Sequence, residues 1–295
     1  IGFGVALDFE GNIFTTGQFS GSGDFDPGAG IATLTSAGST DIFVSKLSSS
    51  GAYLFAHRFG GTSADYGDSI AVDGLGNVYT TGQYFGVVDF DPGAGTANLS
   101  GAGGGNAFVS KLTGGGTFVY AKEFSGASNE SGDGIAISST GEVFITGSFF
   151  GTIDIDPGPG TFNVTSAGAA DVFVVKLDVE GNLGYASVLA GAGSNVSRAI
   201  AIDNLGNAYT TGATAGTNDL DPGAGTANFT ASGTDIFISK LTGYDPDLAV
   251  ANLTLVSANG IGGVDPLEIQ AGNLSASNST AGDLQVVNYG GLSAA

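Results

Sequence analysis

The sequence predicts an all-β fold assembled from four copies of one unit, and three observations carry that prediction. DFDPGAG at residues 24–30 returns unchanged at Asp89, as DIDPGPG at Asp154 and as DLDPGAG at Asp219, so each step is 65 residues. Other markers keep this period: LDFEGN at Leu7, VDGLGN at Val72, ISSTGE at Ile137 and IDNLGN at Ile202. Glycine supplies 53 of the 295 residues while Phe, Tyr, Val, Ile and Leu stay plentiful. That composition belongs to many turns between buried strands, not to disorder.

The second copy shows the elements in order. SIAVD (69–73) is a strand of β-branched and apolar residues, and GLGN is a tight turn using glycine's freedom. NVYTTGQ follows as its hairpin partner. VVDFD and TANLS flank the DPGAG turn, and AFVSKL and TFVYAKEF close the unit. No segment has a convincing 3.6-residue period, so no helix of any length is predicted. AFVSKL and its counterpart VFVVKL are apolar on both faces, unlike strands of a sheet with one wet side. Blades of a β-propeller are covered on both faces by their neighbours, which accounts for the pattern. A unit of 65 residues is too long for one solenoid rung and longer than a minimal four-stranded blade. The surplus is the DFDPGAG segment, expected as a hairpin inserted in each blade. The expected blades span about 1–61, 62–126, 127–191 and 192–244. The fourth lacks a counterpart of FAHRFGG, YAKEFSG and YASVLAG; LAVANLTL (248–255) is a candidate to supply the missing strand.

GDSIAVDGLGNVYTTG followed by NAFVSKL resembles the bacterial β-propeller repeat (SBBP) family, over residues 2–242. The longer form with VVDFDPGAGTANLSGAGGG is similar to a variant of large secreted proteins of environmental bacteria. The family is defined by fold and setting, so the resemblance implies an extracellular repeat module and no particular reaction. Residues 245–295 change rhythm. The pairs Leu253/Leu255, Leu267/Ile269, Leu274/Ala276 and Leu284/Val286 alternate between Gly, Asn and Ser turns. This stretch resembles filamentous-haemagglutinin-like surface proteins, which implies the start of a β-helix or other β-solenoid, with a β-sandwich segment as the alternative. The chain starts at Ile1 inside a repeat and has no Met, so a piece of a longer protein is expected.

Composition removes several function classes. The formal charge is -21 with only 7 Lys plus Arg, a field that repels nucleic acid and anionic membrane and attracts cations such as calcium. No run of 18 apolar residues is present for a membrane span. With no Cys and a single histidine, His57, thiolate chemistry, Ser-His-Asp catalysis and histidine-metal sites fall away. His57 occupies a position filled by Lys122 and Ser187 in the next repeats, which reads as surface. Acid-pair chemistry needs two carboxyls in one cleft, and no spacing singles out a pair.

The candidate metal ligands are the paired carboxylates Asp24 and Asp26, Asp89 and Asp91, Asp154 and Asp156, and Asp219 and Asp221. Alternate carboxylates before a glycine suit the first two ligands of a calcium loop, but the third ligand position holds Gly28. Asp41 and its equivalents would have to complete the shell. The competing explanation is mechanical: Asp-Pro-Gly favours an extended approach into a turn. Lys46, Lys111, Lys176 and Lys240 recur once per unit, and each is expected to pair with an Asp, the DxD carboxylates being one candidate. Eight N-x-S/T sequons occur, three of them at one repeat position: Asn98, Asn163 and Asn228. The function expected is non-enzymatic: a structural or adhesive module of a large bacterial surface or matrix protein, self-associating into filaments or meeting other surface proteins. The rivals are an extracellular polysaccharide-binding propeller, with Tyr84, Phe85, Phe149 and Phe150 as candidate aromatics unless they cover the hairpin as core, and a carbohydrate-active enzyme revived by a clustered, non-repeated acid pair in a pocket.

Overall fold

The computed structural model describes residues 1–101, 103–221 and 227–241 in full, and the backbone of three further strands within residues 248–288. Every regular element among them is a strand. β1 (Gly2–Leu7), β2 (Ile13–Phe19), the short hairpin β3 (Ser22–Asp24) and β4 (Thr33–Thr35), β5 (Asp41–Leu47) and β6 (Tyr53–Phe59) form the first repeat, an antiparallel sheet ordered β1-β2-β5-β6 with β3 and β4 paired apart. The second repeats this with β7 (Tyr66–Val72), β8 (Val78–Tyr84), hairpin β9 (Val87–Asp89) and β10 (Asn98–Ser100), β11 (Asn106–Leu112) and β12 (Phe118–Gly126).

In the third, β13 (Glu130–Ile137), β14 (Val143–Asp154), β15 (Asn163–Leu177) and β16 (Leu183–Gly191) pair likewise. Here the inserted hairpin is no separate ribbon: β14 and β15 run straight on into it, with Asp154 opposite Asn163. The fourth has β17 (Ser194–Ile202), β18 (Ala208–Asp219) and β19 (Asn228–Leu241). The arrangement is all-β and β-propeller-like.

Local chemistry sets the turns. In VDGLGN the Asp73 Oδ1 accepts the amides of Leu75 and Asn77, each at 2.9 Å, and Gly76 takes the left-handed φ of 81°. A side chain there would be strained. The core lies between repeats as well as within them. Ile42 and Val44 of β5 share one buried cluster with Ile70 of β7, and Ala107 and Val109 of β11 share another with Ile135 of β13. The both-face apolarity of the third strands follows from this: one face meets its own hairpin, the other the next repeat. The outer strand of one repeat also pairs with the inserted hairpin of the next, Gly126 opposite Ile153 and Gly191 opposite Asn218.

The chain divides into two compact units that change over at residues 242–243. In the second, β20 (Leu248–Ser257), β21 (Leu267–Asn278) and β22 (Val286–Asn288) pair in parallel. Leu253 stands opposite Leu274 and Leu255 opposite Ala276, while Leu284 lies outside the described residues. Residues 248–255, the candidate for the missing strand of the fourth repeat, pair with β21, and this parallel stacking satisfies the backbone along that edge.

Candidate functional site

The DxD segments form closed turns. Asp24 Oδ1 accepts the amides of Asp26 at 3.0 Å and Ala32 at 2.8 Å, and Asp26 Oδ1 accepts Gly28 N at 2.7 Å. Asp89 repeats this with Asp91 and Ala97, and Asp154 with Asp156 and Phe162. Asp219 does so with the amides of Asp221 and Ala227. The two amides hold the Asp24 carboxyl below the usual carboxylate range. Gly30 is required by the same geometry, since a Cβ there would stand 2.1 Å from Asp26 Oδ2. Alternation along the strand turns the residue between the two carboxylates inward: Phe25 packs on Phe19 and Phe43, and Phe90 and Ile155 are fully buried.

The remaining proposed ligands are engaged elsewhere. Asp41 is fully buried, 2.6 Å from Arg58 Nη1, and accepts the Ala37 amide at 2.7 Å. Among the described residues no group of three or more His, Asp or Glu side chains is placed to hold a metal ion.

Lys46 pairs with an Asp as expected, but it and Lys176 find their carboxylates in the turn after the first strand and not in the DxD pairs. Lys46 Nζ lies 3.5 Å from Asp8 of the LDFEGN turn and over the Phe14 ring, and it donates to the Gly114 carbonyl of the next repeat at 2.9 Å. Lys111 reaches the equivalent Val179 carbonyl at 3.2 Å, lying over Tyr79. Lys176 pairs with Glu142 at 2.7 Å. The reason is register: lysine is the penultimate residue of the third strand, at the opposite end from the inserted hairpin. His57 is also corrected. It stacks on Phe55 at 4.8 Å and lies against the Gly116 turn of the next repeat, and burial pushes its pKa down. Of the aromatic candidates, Tyr84 and Phe149 are fully buried while Phe150 is exposed, as strand alternation demands. Asn98, Asn163 and Asn228 are exposed on the inserted hairpins.

The arrangement with chemical variety is one that sequence reasoning missed. Each first strand carries a β-bulge at the same place, between Gly2 and Gly4, Gly67 and Ser69, Gly132 and Gly134, and Ser197 and Ala199. The extra residue is Phe3, Asp68, Asp133 or Arg198, a different kind of side chain at one structural position. Opposite the bulge stands the glycine of the TTG motif. A Cβ on Gly17, Gly82, Gly147 or Gly212 would meet the carbonyl oxygen of Ile1, Tyr66, Ser131 or Val196 at 2.0, 2.0, 2.2 and 2.1 Å. The threonine before it fixes the third strand: Thr81 Oγ1 donates to the Phe108 carbonyl at 2.6 Å, and Thr16 to that of Phe43 at 2.9 Å.

On this scaffold the bulged residues of adjacent repeats interact. Asp133 accepts hydrogen bonds from Ser131 and Ser148 of its own repeat and from Ser197 of the next. Burial pushes its carboxyl up, with the three serines and the Arg198 charge pulling it back. Asp68 is pushed up to about 7, first by burial and then by the neighbouring Asp133 charge. Asp68 and Asp133 are thus two acids at one position of adjacent repeats, the first sensing the charge of the second, and the column carries them in only two of the four units. The sequence signal was the 65-residue alignment itself, which puts Phe3, Asp68, Asp133 and Arg198 in one column of otherwise uniform repeats.

One part of the chain now has a counterpart among known families. Residues 54–83 match SBBP, the beta-propeller repeat. The SBBP match runs from β6 through β7 to the end of β8, so it takes in the VDGLGN turn, the bulge at Asp68 and the TTG glycine. No curated protein matches the chain.

Proposed function

We propose that the chain is a non-enzymatic structural and adhesive module of a secreted bacterial surface or matrix protein, built as four 65-residue SBBP blades followed by a β-solenoid segment. The observation that carries this reading is where the repeated polar residues go. The first carboxylate of each DxD copy binds the amides of its own loop, and Lys46 and Lys111 bind the next repeat, so the chemistry repeated in register serves the fold itself. Calcium at the DxD copies is the lesser proposal for the same residues, since each first carboxylate already has two donors on one oxygen. The acidic surface, which keeps the chain soluble and draws cations, suits an extracellular setting.

A second reading, a polysaccharide-binding face, is favoured by the bulge column. Arg198, two partly buried carboxyls and the half-exposed Phe3 vary in type on a rigid support, the pattern of a ligand-specific surface. The test incubates the purified chain with soluble polysaccharides and with insoluble cellulose and chitin, reading new reducing ends and retention. The structural reading expects neither. Retention that Asp133→Asn and Arg198→Gln abolish would establish the binding face instead, and reducing ends that Asp68→Asn abolishes would establish an enzyme.

A further inference from the structure

The two flanks of the repeat array are halves of a junction that the chain already contains. Where the first repeat meets the second, Ile42 and Val44 are fully buried and Ile70 is 7 % exposed. Their fit is close: Ile42 Cγ2 lies 2.8 Å from where a Cβ on Gly67 would stand, and Ile70 Cγ2 lies 3.0 Å from that of Gly4. The second and third repeats reuse these positions, with Ala107 and Val109 against Ile135. At the flanks the same positions are bare. Val5, the counterpart of Ile70, is 67 % exposed, and Leu7 beside it 62 %. Ile236 and Ile238, the counterparts of Ile42 and Val44, are 80 % and 73 % exposed.

The polar part of the junction is also split. Lys46 donates to the Gly114 carbonyl and Lys111 to that of Val179, a step of 68 residues in each case. The carbonyl at the matching position of the first repeat is that of Ser49, 65 residues before Gly114, and the lysine of the fourth repeat is Lys240. An apolar face whose complement is carried by the same molecule at its other flank is a heterologous interface, and such an interface closes into a ring or extends as a filament.

We infer that the fourth repeat of one copy docks on the first repeat of a second copy, head to tail. Ile236 and Ile238 then cover Val5, and Lys240 reaches the Ser49 carbonyl, as at the internal junctions. This rests on reading the repeats as successive propeller blades, and it holds whether or not the module binds a glycan. A second copy is chosen over other occupants because, among the described residues, the surface shaped for each flank is the other flank.

The test is sedimentation velocity of the full chain over a wide concentration range, with Val5→Asp and with the double variant Ile236→Asp, Ile238→Asp. All three side chains are exposed, so circular dichroism and a thermal melt should show both variants folded like the parent. The parent is expected to associate with concentration, to a discrete dimer for a ring or a ladder for a filament. Each variant alone should associate at least ~10-fold more weakly, because a carboxylate enters an apolar contact. Mixed, the two variants should form one-to-one pairs, since each keeps the flank that the other lacks. A parent that stays monomeric, or association that ignores both variants, or a mixture without pairs, would overturn the inference. The polysaccharide assay is independent of these outcomes, so failure here leaves the proposed function to its own test.

Discussion

Asp89 uses one oxygen to accept two backbone amides, from Asp91 at 3.0 Å and Ala97 at 2.8 Å. An asparagine in its place offers the same acceptor without the charge. Asp89→Asn should therefore leave the melting temperature nearly unchanged, while Asp89→Ala strands both amides in a partly buried loop and costs about 1–2 kcal/mol in denaturant unfolding. A calcium ligand behaves differently: the Asn variant would lose a calcium-dependent gain in melting temperature that the parent shows and chelator reverses. The lysines permit a similar separation. Lys111→Met keeps the apolar stem over Tyr79 and removes the bond to Val179, so the expected loss is no more than about 1 kcal/mol. A larger loss would mean that the ammonium has a partner of another kind.

The strand order within each repeat was legible because alternation, turn glycines and the 65-residue period all point to the same elements. What the sequence concealed was the bulge. A single extra residue leaves the alternating pattern of GDSIAVD intact to the eye, yet it reverses which way Asp68 faces. The place of the lysines' carboxylate partners was hidden for a related reason. Spacing along the chain says nothing about which end of a strand meets which turn of the next repeat. Gly82 gives the direct test of the bulge. A Cβ added there would lie 2.0 Å from the Tyr66 carbonyl and 3.0 Å from the Asp68 amide, so Gly82→Ala must shift β7 or open the bulge. The expected cost is roughly 3 kcal/mol in denaturant unfolding, at the high end for single substitutions. Gly115→Ala, in a turn where a Cβ meets only the Thr113 hydroxyl at 3.9 Å, should cost little. Equal effects of the two would argue against a bulge locked by contact.

At the scale of the whole molecule, stability should peak in mild acid, because acids with displaced ionisation lie on both sides. Asp68 and Glu130 are pushed up to about 7, in each case first by burial. The folded state binds their protons more tightly than the unfolded chain does. The stability they contribute is therefore complete below the ordinary carboxylate range and lost as pH rises through about 7. Asp203 is pulled down to about 2, first by the Asn207 side-chain amide, and Asp24 is lowered by its loop amides. Their contribution is present above the ordinary range and lost as pH falls through their folded values. His57, lowered by burial, opposes the two raised acids because its folded form resists protonation below its usual 6.5. His57 is one group against two carboxyls displaced in the other sense, and a chain with formal charge -21 also sheds self-repulsion as its acids protonate. The melting temperature should rise from pH 8 to about pH 5 and fall again below roughly pH 3.5. Asp68→Asn separates the local cause from the global one. It should raise the melting temperature at pH 8, leave it little changed at pH 5, and so flatten the alkaline arm. An alkaline arm as steep in the variant as in the parent would assign the effect to overall charge and remove the displaced carboxyl at the bulge from the account.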